Sequence, residues 1–247
     1  VPARADLAAP RPAFYALGGG PVGDFLTLLH PPYTAWHLSY FAIGAALAPH
    51  MYVNRLLWGL AAFALAVGVA AHALDELHGR PLRTAIPDRA LAALAAVALA
   101  GAVAIGVFGA LTASASLVPF VVAGALFLPA YNLELARGRF HGELSFAIGW
   151  GAFPAFTGYF VEADRIRLPG VLIAAACAAI SLAQRHLSLA ARDLRRRTAA
   201  IGGTRTLRDG SVEQLSLAKL LNPFDRALAL LSLAMVFTAC ALVTARL

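Results

Sequence analysis

Seven uninterrupted apolar stretches, each about the length a helix needs to cross a bilayer, dominate this chain: residues 33–49, 56–75, 90–111, 116–135, 144–162, 168–188 and 226–245. A helix rises about 1.5 Å per residue and the hydrocarbon layer is roughly 30 Å thick, so about 20 apolar residues span it. Lipid offers no partner for a free peptide group, so such runs are helices unless they close as a barrel. These runs are too long and too unalternating for barrel strands. The reading is therefore an all-α integral membrane protein with about seven transmembrane helices. The fourth run holds Pro119 and Pro129, which predict a kinked or shortened helix. Runs such as "LAALAAVALAGAVAIGVFGAL" are rich in small residues, which let helix backbones approach closely.

Charge supports the same reading. Only 13% of the 247 residues are charged, whereas soluble domains carry about 25%. With seven spans, sixteen of the 20 Lys and Arg fall on the side that holds the N-terminus, and Arg55, Arg165, Arg167 and Arg246 on the other. Positive loops face the cytoplasm, so the N-terminus is expected there, in a bacterial-type plasma membrane. The net charge of +7 is then a topology signal. It is no nucleic-acid footprint, because no basic soluble domain accompanies it. Residues 1–32 read as a cytoplasmic tail and interfacial segment without a cleavable signal, and 33–247 as one transmembrane domain. Within 189–223, "IGGTRTLRDGSVEQ" reads as a polar loop and "LSLAKLLNPF" as a short amphipathic helix on the membrane surface. Cys177 and Cys240 fall inside spans and read as inert thiols.

Ionisable residues at membrane depth are costly and therefore informative. They gather at three span endings on one side: His72, Asp75 and Glu76; Tyr131, Asn132 and Glu134; Gln184, Arg185, His186 and Asp193. On a helix, His72 and Glu76 share a face, as do His186 and Asp193. Carboxylates at separate helix ends suit Mg²⁺, a hard ion that brings phosphate with it. Arg80, Arg83, Arg137, Arg192 and Arg197 suit phosphate oxygens. Together these predict a cytoplasm-facing polar site over an apolar floor, for an anionic head with a hydrocarbon tail. Two plainer readings stand beside it: the arginines serve topology alone, and Asp75 and Glu76 pair with Arg80 and Arg83. A zinc or di-iron centre is a third reading, weakened because the histidines form no repeated ligand boxes.

Four segments resemble the UbiA superfamily of membrane prenyltransferases, over roughly residues 28–200. "LLHPPYTAWHLSYFAIGAALAP" is similar to the family's first span. "HALDELHGRPLRTAIPDRAL" is similar to its first aspartate-rich segment, with Arg80-Pro81 at the Arg-Pro position. "YNLELARGRFHGELSFAIGWGAFPAFTGYFVEA" is similar to the middle segment, with Tyr131 and Arg137 at the tyrosine and basic positions. "HLSLAARDLRRRTAAIGGTRTL" is similar to the second aspartate segment, with Arg192-Asp193 matching its Arg-Asp. The resemblance implies transfer of an isoprenoid group from a prenyl diphosphate to a small-molecule or lipid acceptor, with Mg²⁺ on Asp75, Glu76, Asp193 and His72. Asp75 and Asp193 would be catalytic, and Arg80, Arg83, Tyr131, Arg137, Arg192 and Arg197 would hold diphosphate. The chain departs from the pattern in three ways: His72 stands in the usual Asn region, Arg197 stands where a further aspartate is usual, and family members usually have nine spans. A catalytically inactive relative that binds an isoprenoid lipid or scaffolds a partner is the alternative. Acceptor identity, prenyl length and oligomeric state are not fixed by these residues.

Overall fold

A computed structural model describes residues 11–17 and 19–247; the first residues of the tail, Arg4 among them, lie outside these. Among the described residues six helices are long and apolar enough to cross a membrane. We number the helices in chain order: α1 (Pro21–Leu28), α2 (Pro31–Ala46), α3 (Val53–Leu77), α4 (Asp88–Thr112), α5 (Ala115–Asn132), α6 (Glu143–Ala163), α7 (Leu168–Arg196) and α8 (Leu217–Thr244). The protein is an all-α integral membrane protein, with α3 to α8 as those six helices.

Helix α2 has 16 residues, about 24 Å of rise, and is almost wholly buried from Trp36 to Ala46. Its two ends meet different neighbours. At its start the His30 ring stacks on His72 near the end of α3, with centroids 3.9 Å apart. Beyond its end, Arg246, after α8, donates to the Pro49 carbonyl at 2.9 Å. Helix α2 is the central element, packed chiefly on α6 and α8. The contact with α6 is backbone to backbone: a β-carbon at Gly44 would collide with the Ala155 carbonyl, and one at Gly158 with the Phe41 carbonyl. Small residues thus set the closest helix pair in the molecule's core.

Two helices widen locally into π-turns, α3 at Ala64–Ala71 and α6 at Ala147–Ala152. Such turns loosen the regular carbonyl ladder and are common near functional sites. Here a histidine imidazole meets a carbonyl in each. His37 Nδ1 donates to Trp150 O at 2.8 Å, and His72 Nδ1 to Gly68 O at 3.3 Å.

Four expected features take a different form. Pro129 sits inside α5 without stopping it; the helix ends three residues later at Asn132. Helix α7 continues to Arg196, well past the apolar run, so its arginines are carried on helix and not on loop. The expected polar loop folds in part as a hairpin, β1 (Thr204–Thr206) against antiparallel β2 (Val212–Gln214), tied by Arg205 and Glu213. The expected separate amphipathic helix forms the first turns of α8, which begins at Leu217, N-capped by Ser216, and runs on through Pro223. Its register is pinned by an ion pair between Arg195 of α7 and Asp225 of α8, the arginine side chain being only 8% exposed.

Candidate functional site

The end of α3 and the loop after it carry two adjacent acids that do different things. Glu76 is fully buried. Its carboxylate accepts from Leu82 N at 2.9 Å, from Thr84 N at 2.8 Å and from the Thr84 hydroxyl at 3.0 Å. The loop needs this, because Gly79, Arg80 and Arg83 all adopt left-handed backbone and expose amides that no helix satisfies. Arg80 finishes the loop: it donates to the Thr84 and Ile86 carbonyls at 3.2 and 2.6 Å and pairs with Asp88 at the start of α4. Asp24 of α1 accepts from Ala85 N at 2.8 Å and docks that helix on the same loop. Glu76 and Arg80, expected to hold metal and phosphate, instead hold the loop in shape.

One residue earlier, about 100° round the helix, Asp75 points elsewhere. No described residue hydrogen-bonds or ion-pairs with its carboxylate at contact distance. The charges that act most strongly on it are Arg192 and Arg196 of α7, then His141. Arg192 and Arg196 are four apart and share a face. Arg83 lies within electrostatic reach of Arg196.

Around Asp75 the other elements supply aromatic and imidazole groups. Tyr131, at the end of α5, is buried; its hydroxyl accepts from Arg185 Nη1 at 3.0 Å, and its ring meets His141 with centroids 4.5 Å apart. Tyr15 packs on His30 and Tyr33, at 5.3 and 5.6 Å. Burial pushes the Tyr15 phenol well above its usual value, with Tyr33 and Asp75 adding to this and Arg196 and Arg192 opposing it. It therefore stays a neutral O–H donor. Burial, the stacked His72 and the two arginines hold the His30 imidazole well below its usual value, so it stays neutral. The polar end thus gathers Arg185, Arg192 and Arg196 around the unpaired carboxylate of Asp75, a group of charges that favours an anion.

Asp193 is exposed, as are Arg192 and Arg196, and pairs with Arg197 Nη1 at 3.1 Å across one helical turn. What α7 presents to Asp75 is cationic. Arg137 lies exposed in the loop after α5, in left-handed backbone. His186 is likewise exposed. Of the four expected Mg²⁺ ligands, Glu76 is engaged by the loop, Asp193 by Arg197, and His72 by Gly68 O and the His30 ring. Among the described residues no group of three or more His, Cys, Asp or Glu is placed to hold a metal ion. These donors do not fit an ion held by protein ligands alone. Asp75 fits only the arrangement in which one carboxylate and substrate phosphates share the ion.

The sequence did not single out Arg185 and Arg196 as ligands, nor Tyr15, His30 and His141. A usable signal exists for the first two. Ser181, Gln184 and Ser188 are buried polar residues at three- and four-residue spacing on α7, a polar stripe in a membrane helix that continues into Arg185, Arg192 and Arg196. Tyr15 and His30 carry no such pattern, because their positions depend on how the N-terminal segment folds back.

Directly beneath lies an apolar layer of Val67, Ala70, Ala71, Leu128 and Trp150, on which Tyr131 packs. On its far side α3, α4, α5 and α6 enclose a cavity of about 500 Å³. Comparison with protein-family models, curated proteins and solved structures finds no match to this chain. The functional reading therefore stands on the residues themselves.

Proposed function

We propose that the protein is a UbiA-like membrane prenyltransferase that moves an isoprenoid group from a prenyl diphosphate to a small-molecule or lipid acceptor. The observation that carries this reading is Asp75, its carboxylate unpaired among the described residues and within electrostatic reach of Arg192 and Arg196 of a separate helix. In the proposed reaction the bond between prenyl C1 and the diphosphate oxygen breaks, and the electron pair leaves with diphosphate. Arg192 and Arg196, with Arg185 and the Tyr15 hydroxyl, stabilise the charge that builds on the leaving oxygens. The apolar layer keeps water from the allylic cation. The acceptor's nucleophilic atom then bonds to C1 and gives up its proton to the released diphosphate. Mg²⁺, shared between Asp75 and the diphosphate, would neutralise further charge on the leaving group.

A second reading, binding of an isoprenoid diphosphate without turnover, is favoured by one specific observation: the engagement of Glu76 and Asp193 leaves a single acid. Diphosphate release and ligand binding, measured with purified protein, Mg²⁺ and a panel of prenyl diphosphates, separate the two. Prenyl transfer predicts release that falls at least a hundredfold in Asp75→Asn while binding persists, and binding lost in the double variant Arg192→Gln/Arg196→Gln. Saturable, arginine-dependent binding with no release selects the second reading. Absence of both ends each.

A further inference from the structure

Two imidazoles in the bundle are each held in one tautomer and leave their other ring nitrogen unused. His37 of α2 donates through Nδ1 to Trp150 O, and His72 of α3 through Nδ1 to Gly68 O, both carbonyls belonging to π-turns. A carbonyl can only accept, so in the neutral ring the proton is on Nδ1 and Nε2 carries a lone pair. Among the described residues nothing donates to either Nε2. Nor are these atoms sealed. His30 Nε2 is enclosed and unpartnered, whereas Nε2 of His37 and of His72 keeps accessible surface.

The two rings come from facing sides of the α2–α3 contact. Thr34 and His37 are three apart on α2, and Gly68 and His72 four apart on α3, so each pair shares a face. Thr34 packs on Gly68, where a β-carbon would come within 2.9 Å of its methyl group. His37 is accordingly within electrostatic reach of His72. The His72 ring stacks on His30, which Arg192 and Arg196 also reach, and Asp75 follows His72 within one turn of α3. The pair therefore adjoins the anion-favouring end.

A free Nε2 accepts, so a matching ligand must donate. Phosphate and carboxylate oxyanions have no proton to give, and a carbonyl has none either. An ammonium donates but is repelled by Arg192 and Arg196 close by. A neutral hydroxyl donates without charge. We propose that His37 and His72 bind a lipid-soluble molecule bearing a hydroxyl, whose O–H donates to Nε2 of His72, with Nε2 of His37 taking a second hydroxyl where the ligand has one. The role of that molecule rests on the prenyl-transfer reading: it is the acceptor, a phenol or an alcohol, held beside the diphosphate site. Its binding does not rest on that reading.

The test uses para-octylphenol and para-octylanisole, which differ by methylation of the hydroxyl; water, which also donates, would serve both probes alike. Dissociation constants are measured on the full chain in detergent, against empty micelles and without prenyl diphosphate. The wild type is expected to bind the phenol about tenfold tighter, the equivalent of one hydrogen bond near 1.4 kcal/mol. His72→Phe brings the two probes to within about twofold of each other. His72→Gln, whose side-chain carbonyl is again an acceptor, keeps part of the preference. In wild-type protein labelled with heavy-nitrogen histidine, the phenol is expected to move an unprotonated Nε2 resonance that the anisole leaves in place, an arm that needs no variant to fold. Equal affinities in the wild type, binding of neither probe, an unmoved Nε2 resonance, or an unchanged preference in His72→Phe overturns the proposal. Diphosphate release without preference for the phenol sinks this inference alone. Preference for the phenol without diphosphate release upholds the hydroxyl site and ends only its part in prenyl transfer. Displacement of the bound phenol by dodecanol tells whether the pair takes aliphatic alcohols as well as phenols.

Discussion

Glu76 and Asp75 are neighbours with the same chemistry and opposite fates. Glu76 stabilises because three donors in a glycine-assisted loop have no other acceptor. Glu76→Ala leaves these donors unpaired and is expected to lower stability by about 3 kcal/mol or more, read as a fall in melting temperature; Glu76→Gln, which keeps one acceptor oxygen, loses less. Asp75→Asn leaves the melting temperature near that of the wild type, since no protein group bonds to the carboxylate. Equal destabilisation by Glu76→Ala and Asp75→Ala would contradict this division. His30 gives a pH prediction. Its neighbours are His72, His37, Arg192 and Arg196, with Tyr15 and Tyr33 around the ring. The folded-state value lies below the unfolded one, so this contribution is full above about pH 6.5 and is lost as acid protonates the unfolded imidazole first. The melting temperature is expected to fall between pH 6.5 and 5, and to fall less in His30→Phe. That acids and histidines gather at one end was legible in the sequence. Which of two adjacent acids faces inward was not, because a rotation of 100° separates the two outcomes and tertiary packing decides it.

At the scale of elements, six of the seven apolar runs coincide with helices long and apolar enough to cross a membrane, because length and hydropathy are properties of a helix by itself. The extension of α7 was harder to see. Residues 189–196 are too polar for a membrane run, and they continue the helix because Arg195 finds Asp225 and because Ser181, Gln184 and Ser188 already turn a polar stripe inward. The joining of the surface segment to α8 depends on Ser216 capping a helix that tolerates Pro223 within its second turn. Likewise the α2–α6 contact rests on two glycines, each facing the other helix's backbone, which only the assembled pair reveals. Gly158→Ala forces those backbones apart. Overpacking of this kind typically costs 1–3 kcal/mol, and a melting-temperature loss of several degrees is expected, with a larger loss in Gly44→Ala/Gly158→Ala. Stability unchanged in both variants would mean the helices do not meet as closely as described.

For the whole molecule, the direction of each helix follows from contacts at the two ends. His30 meets His72 at one end, where α2 starts and α3 finishes. At the other, Arg246 after α8 meets Pro49 after α2, and Tyr52 N before α3 donates to Glu162 near the end of α6. Ser114, between α4 and α5, donates to Asp164, between α6 and α7, at 2.8 Å, so those loops share an end as well. Counted together with the short α2, which the apolar run at 33–49 predicts to span as well, the chain is expected to cross seven times. The arginine-rich end then holds the loops after α3, α5 and α7, and the basic-residue bias predicts that it faces the cytoplasm. Single cysteines in a Cys240→Ser background test this, with the buried Cys177 retained. In intact cells an impermeant maleimide is expected to label Arg165→Cys and to spare Asp209→Cys in the hairpin turn. Labelling of Asp209→Cys alone would invert the orientation, and labelling of both from outside would refute seven crossings.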